Sequence, residues 1–317
     1  MPRLTSAQAL TPMTYAMGWI PNVEYAGFWV ALENGYFAEE GIEGLFTPGG
    51  PNAPGVLVRL AAGQAEIAGG DWMPLLEARA RGNDFIVLGG AFPKSPAAIM
   101  SMAANPVLKP EDLIGKRILS QMPADANTIN FILENAGLDG DYELVQTGFS
   151  PEPLLAGDGD AYLAFATNQP ITFENMGLVE GKDFHVTLMA DLGYDIPAGP
   201  FVASRKFVEE NRDLVVRYLR ALARGWIENG KDPAIAASLV TSKYGADFGL
   251  EQSQQVRQSE LGQQLVTADD APGPFWFDPN LVDTTVAAIA KASGIETPPL
   301  ASEIVDLGPL EEALASL

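Results

Sequence analysis

Between Thr14 and Met189, short apolar runs of strand length alternate with segments of helical periodicity, which limits the chain to mostly parallel sheets flanked by helices. Thr14–Met17, Ala65–Ala68 and Phe85–Leu88 predict strands. Val23–Glu33, Pro54–Ala62 and Pro74–Arg81 predict the helices between them, the first burying Ala26, Val30 and Ala31 and the second Val56, Leu57 and Leu60. The rhythm then restarts. Ala97–Met102, Arg117–Leu119, Tyr142–Val145, Ala161–Ala166 and His185–Met189 read as extended. Thr128–Asn135 and Pro153–Ala156 read as helices, and Pro170 opens another that closes near Gly177. After Phe201–Ala203 helices take over, beginning with NRDLVVRYLRALARGWIENG. The expected architecture is α/β with two lobes, crossings near residues 98–103 and 196–203, and a helical C-terminal region. Loops at strand C-termini would converge on a cleft between the lobes, where ligands of such folds sit.

The length of 317 residues suits two such lobes. Acidic side chains number 41 against 19 basic ones, giving a net charge of −22 spread along the chain. That field repels nucleic acid and anionic lipid, so neither is expected as a partner. Cysteine is absent, which removes disulfides, thiolate nucleophiles and Cys-based metal sites. The one histidine, His185, alternates in FHVTLM and is expected to be exposed. No catalytic residue, metal ligand or cofactor site is therefore expected. The opening MPRLTSAQALTP is polar and lacks an apolar leader core. Alone, it fits either a cytoplasmic protein or an exported one whose leader has been removed.

The stretch GWIPNVEYAGFWVALENGYFAEEGI places Trp19, Asn22 and Tyr25 on the first strand-to-helix loop. A ring stacked on Trp or Tyr, with Asn donating and accepting, suits a flat polar heterocycle. Alternatively, Trp19 caps the sheet and Tyr25 opens a buried helix face. At least one of Phe28 and Trp29, within the helix, should be core. In GGDWMP, Asp71 is either the N-cap of the Pro74 helix or an acceptor for a ligand amino group. Trp72 is then either a second aromatic wall or packing. In the second lobe, Gln121 and Asn127 flank one loop and Asn168 and Gln169 another. The run GGPNAPG, Gly49 to Gly55, reads as turn chemistry rather than an anion cradle. None of these loops contains Arg, and the nearest Lys is Lys94. Glu24 and Asp71 would further oppose a desolvated anion.

The pattern W-x-P-N-x-x-x-x-G (Trp19, Pro21, Asn22, Gly27) followed by ALENGYFAEEGI resembles the opening of ABC-importer solute-binding proteins. The branch is the one that handles thiamin pyrimidine precursors, sulfonates and nitrate. VLVRLAAGQAEIAGGDW, KPEDLIGKRI, GDGDAYLAF and FVEENRDLVVRYLRALARGWIENGKDPAIAASLV extend the resemblance over nearly the whole chain. It implies a type II periplasmic-binding-protein-like fold, the first lobe from residues 12–100 and 200–317 and the second from 101–199. It also implies export, often with a lipid tether, and docking to the importer's membrane subunits. A thiamin pyrimidine precursor is the expected ligand, with a riboflavin-like ring or a sulfonate or nitrate anion as alternatives. Related eukaryotic pyrimidine synthases share the fold and use a first-lobe histidine as substrate. Glu24 and Tyr25 occupy that region here, without a His, which disfavours the enzyme.

Overall fold

A computed structural model describes residues 9–317 apart from 51, 123, 124 and 293. Among the described residues ten strands form two five-stranded sheets. The first contains β1 (Thr11–Ala16), β2 (Ile42–Thr47), β3 (Ile67–Gly69), β4 (Phe85–Phe92) and β10 (Ala198–Ser204), in the order β2-β1-β3-β10-β4. The second contains β5 (Ala97–Met102), β6 (Arg117–Ser120), β7 (Glu143–Gln146), β8 (Ala161–Phe165) and β9 (Phe184–Leu188), in the order β7-β6-β8-β5-β9. In each, three neighbouring strands run parallel and the fourth is antiparallel to its partners. That fourth strand is the one by which the chain arrives from the other sheet, so no crossover helix forces it parallel.

The chain passes between sheets at residues 93–96 and 189–197. The expected crossing at 98–103, and with it a boundary at 100–101, falls inside β5, which pairs with β8 from Ala97 to Ser101, and the expected crossing at 196–203, with its boundary at 199–200, falls mostly inside β10. β2 was not legible as a strand. It lies at a sheet edge and buries only Ile42 fully, so it lacks the apolar run that marks its neighbours.

Helix Ala26–Glu33 lies against the long helix Arg212–Asn229 at very close range. A Cβ at Gly225 would stand 1.9 Å from the Gly27 carbonyl oxygen, so only glycine permits the approach. Phe28 and Trp29 are both fully buried, and Trp29 stacks on Tyr244 at 4.4 Å. Farther along, helix Asp283–Ala292 packs on Trp72–Ala80 of one lobe and Asp125–Asn135 of the other. The C-terminal helices therefore buttress the first lobe and reach the second.

Candidate functional site

A cavity of about 270 Å³ lies between the sheets, lined by the loops that follow β1, β3, β6 and β8 and by the crossing segments. Parallel strands in each sheet direct those loops toward it.

The first-lobe side is rigidly built. Trp19 is half-buried and lines the cavity. Its N–H donates to the Tyr25 hydroxyl at 2.8 Å, and its carbonyl accepts from Gly49 N–H at 2.9 Å. A Cβ on Gly49 would come within 2.3 Å of the Met17 carbonyl oxygen, so glycine is needed for this close packing. None of the described residues of the Gly49–Gly55 loop lines the cavity. Behind it, the buried Arg59 guanidinium donates to the carbonyls of Met17 (2.7 Å), Thr47 (3.1 Å) and Pro48 (3.0 Å). Desolvation pulls its pKa down, and carbonyl dipoles at the ends of β1 and β2 hold the charge. Arg59 carries no signal of this role in the sequence, because it sits inside the apolar helical run VLVRLA.

Tyr25 and Trp72 line the cavity from buried positions. The Trp72 indole N–H donates to the Pro197 carbonyl at 2.7 Å, tying the β3 loop to the crossing segment. Asn22 departs from expectation. It is buried outside the lining, its side-chain oxygen accepts Glu24 N–H at 2.9 Å, and its carbonyl accepts the Trp29 indole N–H. An Asn cap of this kind fixes the entry to the helix rather than a ligand. Asp71 does the reverse. It precedes a helix that starts at Trp72 rather than Pro74, yet its side chain makes no cap bond and faces the cavity.

In the second lobe Gln121, Asn127, Asn168 and Gln169 all reach the lining. Three of these amides already serve their own scaffold. Gln121 Nε2 donates to the Leu163 carbonyl at 3.2 Å, and Gln169 Oε1 accepts Phe165 N–H at 2.8 Å. Asn168 Oδ1 accepts from Gln254 Nε2 at 3.0 Å, a bond from the C-terminal helices. Asn127 is exposed, and its side chain bonds no other described residue.

Three carboxyls, Glu24, Asp71 and Asp125, face the cavity, and its described lining contains no Lys, Arg or His. Burial, then the nearby Asp71, pushes Glu24 up to about 7. Asp71 is reached by solvent along the cleft but enclosed by protein, and this desolvation, then Asp125, pushes it up to about 6. Burial also raises Asp125, against bonds from the Ser120 hydroxyl (2.6 Å) and Met122 N–H (3.3 Å) that favour its charge. Lys94 instead pairs with Asp269 at 2.8 Å, outside the lining. His185 is half-buried on β9, also outside it. Among the described residues no group of His, Cys, Asp or Glu is arranged to hold a metal ion. This wall accepts N–H donors and positive charge and disfavours anions. Asp125 and Tyr194 complete the site and were not picked out in sequence. Asp125 had a signal, a carboxylate at a helix start between two amides already noted.

A family model described as "NMT1/THI5 like" matches residues 22–236, well over half of the chain. The chain is 26% identical over 280 residues to the formylaminopyrimidine-binding protein of Halalkalibacterium halodurans, covering 84% of this chain and 81% of the relative. It is 24% identical over 282 residues to the riboflavin-binding protein RibY of Chloroflexus aurantiacus, covering 87% and 76%. At 21% identity over 231 residues it also matches the 4-amino-5-hydroxymethyl-2-methylpyrimidine phosphate synthase of Schizosaccharomyces pombe, covering 70% and 66%. Among solved structures, the periplasmic aliphatic sulphonate binding protein SsuA of Escherichia coli superposes with a TM-score of 0.67 at 14% identity, covering 93% and 92%. That likeness identifies the fold as periplasmic-binding-protein-like.

Proposed function

The chain belongs to the NMT1/THI5-like family, and we propose that it is an extracytoplasmic solute-binding protein of an ABC importer that captures an aminopyrimidine precursor of thiamin. The observation that carries this reading is the composition of the cavity wall: Glu24, Asp71 and Asp125 beside Trp19, Tyr25 and Trp72, with no cationic side chain among its described residues. An aminopyrimidine offers a flat face for stacking, an exocyclic amine that donates, and a weakly basic ring nitrogen that a carboxyl can protonate or pair with. A sulfonate or nitrate would meet three acidic groups in a desolvated cleft whose described lining offers no compensating cation. The contacts proposed are Trp19, Tyr25, Asp71, Trp72, Gln121, Asn127, Asn168 and Gln169, joined by Glu24 and Asp125. Ligand held between the lobes would favour the closed arrangement, which the importer's membrane subunits then recognise.

A binder fits the site better than an enzyme. The single histidine and every lysine of the chain stand outside the lining, which leaves a synthase-type reaction no histidine to consume and no amine for an imine. A thermal-shift panel tests the ligand class. Hydroxymethyl- or formylaminomethyl-aminopyrimidine at about 100 times its Kd should stabilise the protein by about 2.7 kcal/mol. Stabilisation by taurine, alkanesulfonates or nitrate but not by pyrimidines would overturn the assignment. Stabilisation by riboflavin alone would move it to the larger ring.

A further inference from the structure

The strands β1 and β7 end in loops that belong to different lobes, and each loop carries one aromatic ring to the same place. Trp19 from the first meets Phe149 from the second, ring centroids 5.3 Å apart and planes at 81°. This edge-to-face geometry is the favoured one for an aromatic pair. Phe149 is 45% exposed and is not part of the cavity lining, so whatever it does for the site it does through Trp19.

Neither ring is on a loose loop. Trp19 is held by the Tyr25 hydroxyl and by Gly49 N–H. Phe149 is held within the second lobe by Tyr162, fully buried on β8, whose hydroxyl proton is shared between the carbonyls of Gly148 (3.0 Å) and Phe149 (2.9 Å). A buried tyrosine thus fixes the backbone beneath each ring. With both loops fixed to their own sheets, the rings can separate only if the lobes do.

We propose that Phe149 is a positioning residue whose contact with Trp19 latches the two lobes together across the cleft and holds the Trp19 indole as a fixed wall of the cavity. The latch acts without ligand. It rests on the two-lobed, closing solute-binder reading above but not on which solute is bound. Its consequence is a partly closed population of the empty protein. Ligand then selects this population rather than having to create it.

Because the chain has no cysteine, a labelled pair can be introduced cleanly. Gln64→Cys and Glu134→Cys, both exposed and near the outer ends of the first and second lobes, carry spin labels for distance measurement on the ligand-free, full-length protein. Phe149→Ala should lower the closed-to-open ratio by about 2- to 12-fold, the equivalent of the ~0.5–1.5 kcal/mol of one aromatic pair. Phe149→Tyr should keep the wild-type distribution. Trp19→Ala should shift it as Phe149→Ala does, and the double variant should shift it no further, as expected of two groups in one contact. Phe149→Ala should melt close to the parent, since its ring is nearly half exposed. An unchanged ligand-free distance distribution in Phe149→Ala, or additive shifts in the double variant, would overturn the latch. Neither outcome depends on whether pyrimidines bind, so failure here is distinct from failure of the ligand assignment.

Discussion

The two walls of the cleft come from sheets of the same strand order but are built differently. On the first-lobe wall, buried polar groups are spent on holding loops: Tyr25 on Trp19, Asn22 on Glu24, Arg59 on the ends of β1 and β2, Trp72 on Pro197. That leaves rings and two carboxyls facing the cavity. On the second-lobe wall the amides that line the cavity are themselves the loop fasteners, as Gln121, Asn168 and Gln169 each bond within the protein. The difference teaches a division of labour. The first lobe presents a preformed surface, and the second adds Asp125 and Asn127 to the lining and backs Trp19 with the Phe149 ring. Affinity should therefore be concentrated on one side, because preorganised groups lose less entropy on binding.

The largest expected effect tests the first wall against its own core. Trp29→Ala removes a fully buried ring that stacks on Tyr244 and bonds Asn22, and should cost about 3–5 kcal/mol of folding stability in denaturant melts. Trp19→Ala, ten residues earlier in the same motif, should cost little stability in the empty protein. Its loss should appear in affinity for the aminopyrimidine, about 2–4 kcal/mol by calorimetry. If the two variants behaved alike in stability, Trp19 would be structural and the first wall would not be a binding surface.

The charge on that wall gives a second test. Glu24 is raised from an ordinary 4.5 to about 7, so between those values the folded protein holds a proton that the unfolded chain has released. The stability this group contributes is present below about 4.5 and is lost as pH rises through 7. The empty protein should accordingly lose melting temperature between about pH 4.5 and 7. Glu24→Gln should reduce that slope, leaving the part that the raised Asp71 and Asp125 contribute, whereas Glu134→Gln, exposed on the outer second lobe, should leave it unchanged. A slope equal in all three would mean that the cavity wall is not under charge strain.

Much of this was legible in the sequence, and the misses share a cause. The alternation of periods gave the two α/β lobes, because a buried parallel strand must be an apolar run. β2 escaped because an edge strand need not be. Rings and carboxyls were readable as site candidates by residue type, and Trp19, Asp71 and Trp72 do reach one cavity. Whether a polar side chain serves the scaffold or the cavity was not readable. Asn22 and Asp71 both stand just before helical turns, yet one caps and the other does not. That choice depends on backbone angles and neighbours brought in from elsewhere, such as Trp29 over the Asn22 carbonyl. The Trp19–Phe149 contact joins residues 130 positions apart (149 − 19) in loops with no shared pattern, so no local signal could announce it.

The smallest effect is expected on the second wall, and it is where the comparison can most readily break. Asn127 is the one amide there whose side chain bonds no other described residue, and it is exposed at the cavity edge. Replacing it with Ala removes no bond that the fold uses, so stability should stay within about 0.5 kcal/mol of the parent. If it meets the ligand at all, it does so through a solvent-accessible hydrogen bond, and the variant should lose about 0.5–1.5 kcal/mol of affinity. The loss should lie in the dissociation rate, where most truncations at a binding surface act. Stopped-flow release measured beside calorimetry separates these terms. A loss in Asn127→Ala as large as that in Trp19→Ala would mean that the second lobe grips as strongly as the first, and that preorganisation does not set where the affinity resides.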